Sequence, residues 1–230
     1  MSQAKERPIL FNGPMVRAVL EGRKTVTRRP IKPSMRGFDV SFELHQQEDG
    51  SWRPMHTFDE SCMDAQGTEH PVLCPYGQPG DRLWVRESGI YSQLLAPDDP
   101  SQPGMFRHDV PRTPETGDWW IQQTRAPGAS YSVSGNPRRV NKAKGEKAVP
   151  SIHMPRWACR ILLEITNVRV EPLQHITIGQ ICKEGLARSM YEFIPVTTAF
   201  DAFAELWNST GGDWDANPWV WVVEFKRIEP

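Results

Sequence analysis

The chain has 230 residues and a formal net charge of -1. That length is enough for one large domain or two small ones with a real core, and the near-neutral balance excludes a histone-like or polybasic nucleic-acid binder. Residues 1–7 hold no apolar signal-like run and no segment approaches a membrane span, so a cytoplasmic protein without membrane contact is expected.

The apolar segment Pro8 to Phe11 leads into a helix. Asn12 suits its N-cap, Met15/Val19 and Val16/Leu20 form i,i+4 pairs on one stripe, and Gly22 suits the left-handed position that ends it. Next comes Gly22-Arg23-Lys24-Thr25-Val26-Thr27-Arg28-Arg29, which sets a lysine, two hydroxyls and several guanidinium groups at a helix-to-strand junction. On an extended strand Thr25, Thr27 and Arg29 share one face, and Lys24, Val26 and Arg28 the other. Lys24 and Thr27 therefore converge only if the strand begins after Lys24. Such a run is either a solvated basic strand edge or a polar site.

Phe38 to Leu44 and Trp52 to Phe58 read as a hairpin turning at Glu48-Asp49-Gly50-Ser51. The loop Cys74 to Asp81, rich in Gly and Pro, delivers the chain into a strand at Leu83-Trp84-Val85-Arg86-Glu87, with Arg82, Trp84 and Arg86 on one face and Leu83, Val85 and Glu87 on the other. From Ser88 to Pro150 proline, glycine, serine and aspartate dominate, with short candidate strands at Trp119 to Thr124 and Ser130 to Ser134. This excursion ends in a basic run, Arg138 to Lys147, that is either a solvated loop or a phosphate-tracking lid.

Ile161, Leu163 and Ile165 then share a strand face, and the parity slips to Val168 and Val170, as a bulge near Asn167 would produce. Thr177 to Gln180 is a capping box that opens a short helix with Ile178, Ile181 and Cys182 on its apolar stripe, stopped by Gly185. A longer helix from about Ala199 to Asn208 turns Phe200, Phe203 and Trp207 to the core and ends at Gly211-Gly212. Trp219 to Phe225 is apolar on both faces and reads as a central strand. These elements make one α+β domain over residues 1–230, with inserts at about 33–73 and 88–150.

The chemistry is narrow. There is no H-E-x-x-H, no G-x-S-x-G, no phosphate-binding P-loop and no dinucleotide glycine fingerprint. The cysteines, at 62, 74, 159 and 182, lack a C-x-x-C pair, so they are expected to be reduced and free of metal, and no cofactor is expected. Cys62, His70 and Cys74 with His153 form the only zinc alternative, and Cys182 suits core packing. Glu184 stands out because a carboxylate in the last turn of a helix faces the negative end of the macrodipole. Local rules are broken at a cost, and function is one reason to accept it.

Four segments together resemble the ASCH domain family of the PUA-like superfamily. They are Pro8 to Arg29 with its Gly22-Arg23-Lys24-Thr25-Val26-Thr27-Arg28-Arg29 element, Gly80 to Glu87, the helix end Lys183-Glu184-Gly185, and Trp219 to Phe225. The resemblance implies a small curved PUA-like β-barrel with short helices at its openings, enlarged by the two inserts. It also implies a site that holds a nucleobase or nucleoside, since the branch with this motif includes amidohydrolases that remove an acyl group from the exocyclic amine of cytidine.

On that reading Lys24, Thr27 and Glu184 are the catalytic set, with a hydroxyl or a water as nucleophile, a lysine to take its proton and a carboxylate to protonate the leaving amine. Substrate contacts are expected from Thr25, Arg28, Arg29, Trp84, Arg86, Glu87, His153, Arg156 and Trp157. Trp219 and Trp221, flanked by valines, are expected in the core before the pocket wall. Glu184 is expected to matter to chemistry and not to folding. The competing expectation is a non-catalytic reader of RNA, single-stranded nucleic acid or a modified base. The chain looks most like phage- and prophage-encoded members of the family.

Overall fold

The structure is a computed structural model that describes residues 4–32, 39–58, 70–92, 119–122 and 147–228. The element order is β1 (Glu6–Leu10), α1 (Gly13–Leu20), β2 (Val26–Pro30), β3 (Asp39–Gln46), β4 (Trp52–Phe58), β5 (His70–Pro71), β6 (Arg82–Arg86), β7 (Gly89–Ser92), β8 (Trp119–Gln122), β9 (Lys147–Val149), β10 (Leu162–Pro172), α2 (Ile178–Lys183), α3 (Thr198–Ser209) and β11 (Trp219–Ile228). Sheet and few helices confirm an α+β protein.

Its main sheet has the strand order β1-β6-β10-β11-β2, with β1 parallel to β6 and antiparallel pairing of β6 with β10 and of β2 with β11. The order has two ends, β1 and β2, so this is an open sheet and not the closed barrel that the family resemblance led us to expect. Closure depends on pairing between strands far apart in sequence, which a one-dimensional pattern does not encode. Two smaller sheets, β3-β4-β5 and β8-β7-β9, are built from the inserts. The Ser130 to Ser134 strand and the basic run up to residue 146 lie outside the described residues; Lys147 begins β9.

The chain divides into two compact units. One holds Met1–Arg23, Arg82–Glu164 and Arg227–Pro230, and the other Lys24–Asp81 and Ile165–Lys226. In the first, Asn12 accepts from the Met15 N–H at 2.9 Å and caps α1. Gly22, at φ 73°, ends it in a Schellman arrangement, with Arg23 N–H to Ala18 O at 2.8 Å and Gly22 N–H to Val19 O at 3.0 Å. The core of this unit includes Trp84, Met154, Ala158, Cys159 and Leu162.

In the second unit α2 and α3 pack on the sheet through Val26, Leu173, Ile176, Ile181, Ala199, Phe203, Trp207, Val220 and Val222. Each large aliphatic or aromatic side chain so buried contributes about 1.5–3 kcal/mol. Phe200, one turn before Phe203 on the same stripe, packs partly buried at the margin of this cluster. The capping box forms, with Thr177 N–H to Gln180 Oε1 at 2.9 Å and Gln180 N–H to Thr177 Oγ1 at 3.4 Å. β11 is buried on both faces from Val220 to Val223, as its sequence predicts. β10 runs without interruption through the parity slip, where Thr166 and Asn167 are both exposed. The β3–β4 hairpin turns where expected, and its Trp52 ring lies 4.9 Å from that of Trp219 at the start of β11.

Candidate functional site

The expected site residues fall into two groups, one in each unit. The second unit carries Lys24, Thr25, Thr27, Arg28, Arg29 and Glu184; the first carries Trp84, Arg86, Glu87, His153, Arg156 and Trp157.

Lys24 lies two residues before the start of β2 at Val26, so the strand does begin after it. Its neighbour Thr25 is fixed from two sides, donating its N–H to Lys183 O at 2.9 Å and accepting from Phe225 N–H at 2.9 Å. These bonds fasten the junction to the end of α2 and to β11. Glu184 is the C-cap of α2, and Gly185 follows at φ 94°. A short loop-to-strand junction and a helix end thus bring together residues 160 positions apart.

The Lys24 side chain is fully buried and that of Glu184 is 4 % exposed. Nζ contacts three oxygens: Glu184 Oε2 at 2.6 Å, Val26 O at 2.9 Å and Glu184 O at 3.0 Å. Burial pulls the Lys24 pKa below that of a free lysine; the Glu184 carboxylate pulls it back up, and Arg29 and Arg28 add repulsion. The three contacts fit two placements of one proton. An ammonium donates to all three oxygens, while a neutral amine donates to the two carbonyls and accepts from a protonated Glu184.

Glu184 is shared. Its Oε1 accepts from Arg28 Nη1 at 3.2 Å, and Arg28 Nη2 donates to Glu171 Oε1 at 2.7 Å. Glu171 is also paired with Arg169 at 3.2 Å, and Arg169 pairs with Glu224. Side-chain exposure is lowest at the inner end, with Lys24 at 0 %, Glu184 at 4 % and Arg28 at 1 %, and then climbs to 16 % at Glu171, 28 % at Arg169 and 40 % at Glu224. Sequence reading missed Glu171, Arg169 and Glu224. The available signal was Arg169 and Glu171 at i,i+2, a like-facing pair of opposite charges on one strand.

Glu184 is therefore a structural residue as well as a candidate acid. The expectation that it leaves folding untouched is corrected by its two buried ion pairs. Arg28 is 1 % exposed with both ends of its guanidinium engaged, which makes it a holder of carboxylates. Alternation along β2 sets Thr27, itself buried, on the face opposite Val26 and Arg28. Thr25 and Arg29 share Thr27's parity and are half-buried.

In the first unit Trp84 is 7 % exposed and packs in the core, and the Arg86 guanidinium carbon sits 4.6 Å from its ring centroid. A second Arg86 bond, to Ile152 O at 3.0 Å, completes the clamp. Glu87, buried, is held in a fork by Arg160, with Nε to Oε1 at 3.0 Å and Nη2 to Oε2 at 2.8 Å. Arg160 was not anticipated, since nothing local marks it. His153 is exposed, and Arg156 pairs with Glu6 at 2.8 Å. Trp157 lies in a single 3-10 turn, and its side chain is outside the described residues. Trp221 is buried and Trp219 half-buried against Trp52.

Among the described residues no three of His, Cys, Asp and Glu converge as metal donors; Cys62 and the side chain of His70 lie outside them. Among the described residues Cys74, Cys159 and Cys182 form no disulfide, and no described helix is long and apolar enough to cross a membrane. Comparisons of the chain with protein-family models, curated proteins and solved structures find no match. Fold and site together define an α+β protein with a buried lysine–glutamate couple braced by a row of alternating charges.

Proposed function

We propose that the Lys24–Glu184 couple is the centre of a nucleobase or nucleoside site that hydrolyses an N4-acyl amide of cytidine. The observation that carries the reading is the 2.6 Å contact between a fully buried lysine and a carboxylate beside the Gly22 to Arg29 motif. The ASCH-like sequence of that motif and of the Glu184 helix end names the substrate class, and on the same ground the open sheet is proposed to be a PUA-like variant.

Amide hydrolysis needs one proton taken from the nucleophile and one given to the departing amine. A couple that stores a single proton in two arrangements supports both transfers. In the neutral arrangement Lys24 Nζ accepts a proton from water, the oxygen adds to the acyl carbonyl, and the C–N bond breaks as the exocyclic nitrogen takes the Glu184 proton. The products are the free acid and cytidine, and the couple is left with the one proton it began with. Strand alternation favours water over the Thr27 hydroxyl as nucleophile, because Thr27 faces away from the side of β2 that carries Arg28 and its bond to Glu184.

The test is incubation with N4-acylated cytosines and cytidines followed by mass spectrometry. Wild type is expected to release the acid, and Lys24→Met or Glu184→Gln to lose ~100-fold or more in turnover per folded molecule. Retained turnover in Thr27→Val supports water; its loss restores the hydroxyl. A wild type that binds the ligand and leaves it intact replaces hydrolysis with base recognition, the non-catalytic RNA or modified-base reading.

A further inference from the structure

The Lys24–Glu184 couple does not stand alone, and its neighbours are arranged as a competition. Glu184 divides its two oxygens between Lys24, at 2.6 Å, and Arg28, at 3.2 Å. Arg28 in turn divides its two terminal nitrogens between Glu184 and Glu171, and the Glu171 contact is the shorter at 2.7 Å. Glu171 is claimed from its other oxygen by Arg169 at 3.2 Å, and Arg169 by Glu224. Four elements supply these groups: the junction and strand β2 give Lys24, Arg28 and Arg29, α2 gives Glu184, β10 gives Arg169 and Glu171, and β11 gives Glu224. We propose that Arg28 and Glu171 are positioning residues that set how much of the Glu184 carboxylate is left for Lys24, and through it the proton affinity of the couple.

The physical argument is that each group in the row holds its inner neighbour back from the next one in. A carboxylate pulled towards Arg28 stabilises the Lys24 ammonium less, and an Arg28 drawn towards Glu171 releases the carboxylate to Lys24. Little water is present to mask this at the inner end, where Lys24 and Arg28 are 0 % and 1 % exposed. Contact geometry then matters beyond the number of charges. A shorter anion at 171 keeps its charge and loses its reach, which separates positioning from a diffuse field.

The inference rests on the proposed role of the couple, but its test does not need substrate. Lysine labelled with 13C at Cε is titrated by NMR in the ligand-free protein, with the Lys24 signal identified by its loss in Lys24→Met. Glu171→Gln is expected to lower the Lys24 pKa, because Arg28 turns fully to Glu184. Arg28→Gln is expected to raise it, because the carboxylate is left to Lys24 and a repelling cation is gone. Glu171→Asp is expected to lower it as Glu171→Gln does, although net charge is unchanged.

An unmoved Lys24 titration in Glu171→Asp overturns the inference in favour of a simple field effect, and a shift of the same sign in Arg28→Gln and Glu171→Gln overturns it together with the field effect. Glu171 is partly exposed and Arg169 survives beside it, so the aspartate variant separates positioning from field even if Arg28→Gln fails to fold. Product formation decides the hydrolase reading and the ligand-free titration decides this one, so either can fail without the other.

Discussion

Glu184→Gln gives the sharpest test of the energetics at this site. The substitution keeps shape and leaves Arg28 paired with Glu171, but it strands the Lys24 ammonium among two carbonyls and an amide. Removing one partner of a buried pair costs about 3–5 kcal/mol. Here the cost has a ceiling, because the folded protein can shed the lysine proton instead. A lysine that titrates near 10.4 when unfolded costs about 4.6 kcal/mol to neutralise at pH 7 and about 1.9 kcal/mol at pH 9, at ~1.36 kcal/mol per unit.

The sign follows from linkage. Burial depresses the Lys24 pKa, so between the folded value and that of unfolded lysine the unfolded chain binds more protons and stability rises with pH. Loss of Glu184 removes the main upward influence on Lys24, so the variant recovers more on alkalinisation than wild type does. Urea unfolding at constant ionic strength should show a deficit of about 3–4.5 kcal/mol at pH 7 that shrinks below about 2 kcal/mol at pH 9. Lys24→Met in the Glu184→Gln background should restore much of the loss at pH 7. A deficit below about 1 kcal/mol at pH 7, or one that does not shrink at pH 9, refutes the stranded-ammonium argument.

Thr177→Ala removes the hydroxyl of the capping box that opens the six-residue helix carrying Glu184, and should cost about 1 kcal/mol by thermal melting with a matching loss of protection at the Thr25 amide in hydrogen exchange. Gly212→Ala would drive its Cβ into the Trp207 indole at Nε1, so it should destabilise by about 1–3 kcal/mol and shift the tryptophan emission. Cys159 is 8 % exposed with Sγ donating to Ile161 O at 3.1 Å, and burial pushes its thiol pKa up. It should therefore resist alkylation at neutral pH in the folded protein and react once urea unfolds it, as followed by peptide mass spectrometry.

What the sequence disclosed was local. Asn12, Gly22, Thr177 with Gln180, and the Asp49-Gly50 turn each act within a few residues, and each falls where its chemistry places it. The candidate couple was legible because Lys24 sits in a motif and Glu184 breaks a helix-end rule. The bracing was not, since Arg28 meets Glu171 across 143 positions and Glu87 meets Arg160 across 73. Residue type misled at two places for one reason: Trp84 and Arg28 have side chains suited to a ligand, and here each is used up by protein partners, Arg86 above the indole and two carboxylates around the guanidinium. The open sheet escaped prediction because closure is a property of the whole strand set.

The indoles of Trp52 and Trp219, 4.9 Å apart and inclined at 57°, have a use beyond packing. Two identical chromophores so close and so oriented couple their excited states, which splits the circular-dichroism band into a couplet of opposite signs. One of them belongs to the inserted hairpin and the other to the first residue of β11, so the molecule carries an optical gauge of whether its insert is seated. Loss of the couplet on Trp52→Phe, while the helical signal persists, would calibrate that gauge and make detachment of the hairpin observable in real time during unfolding.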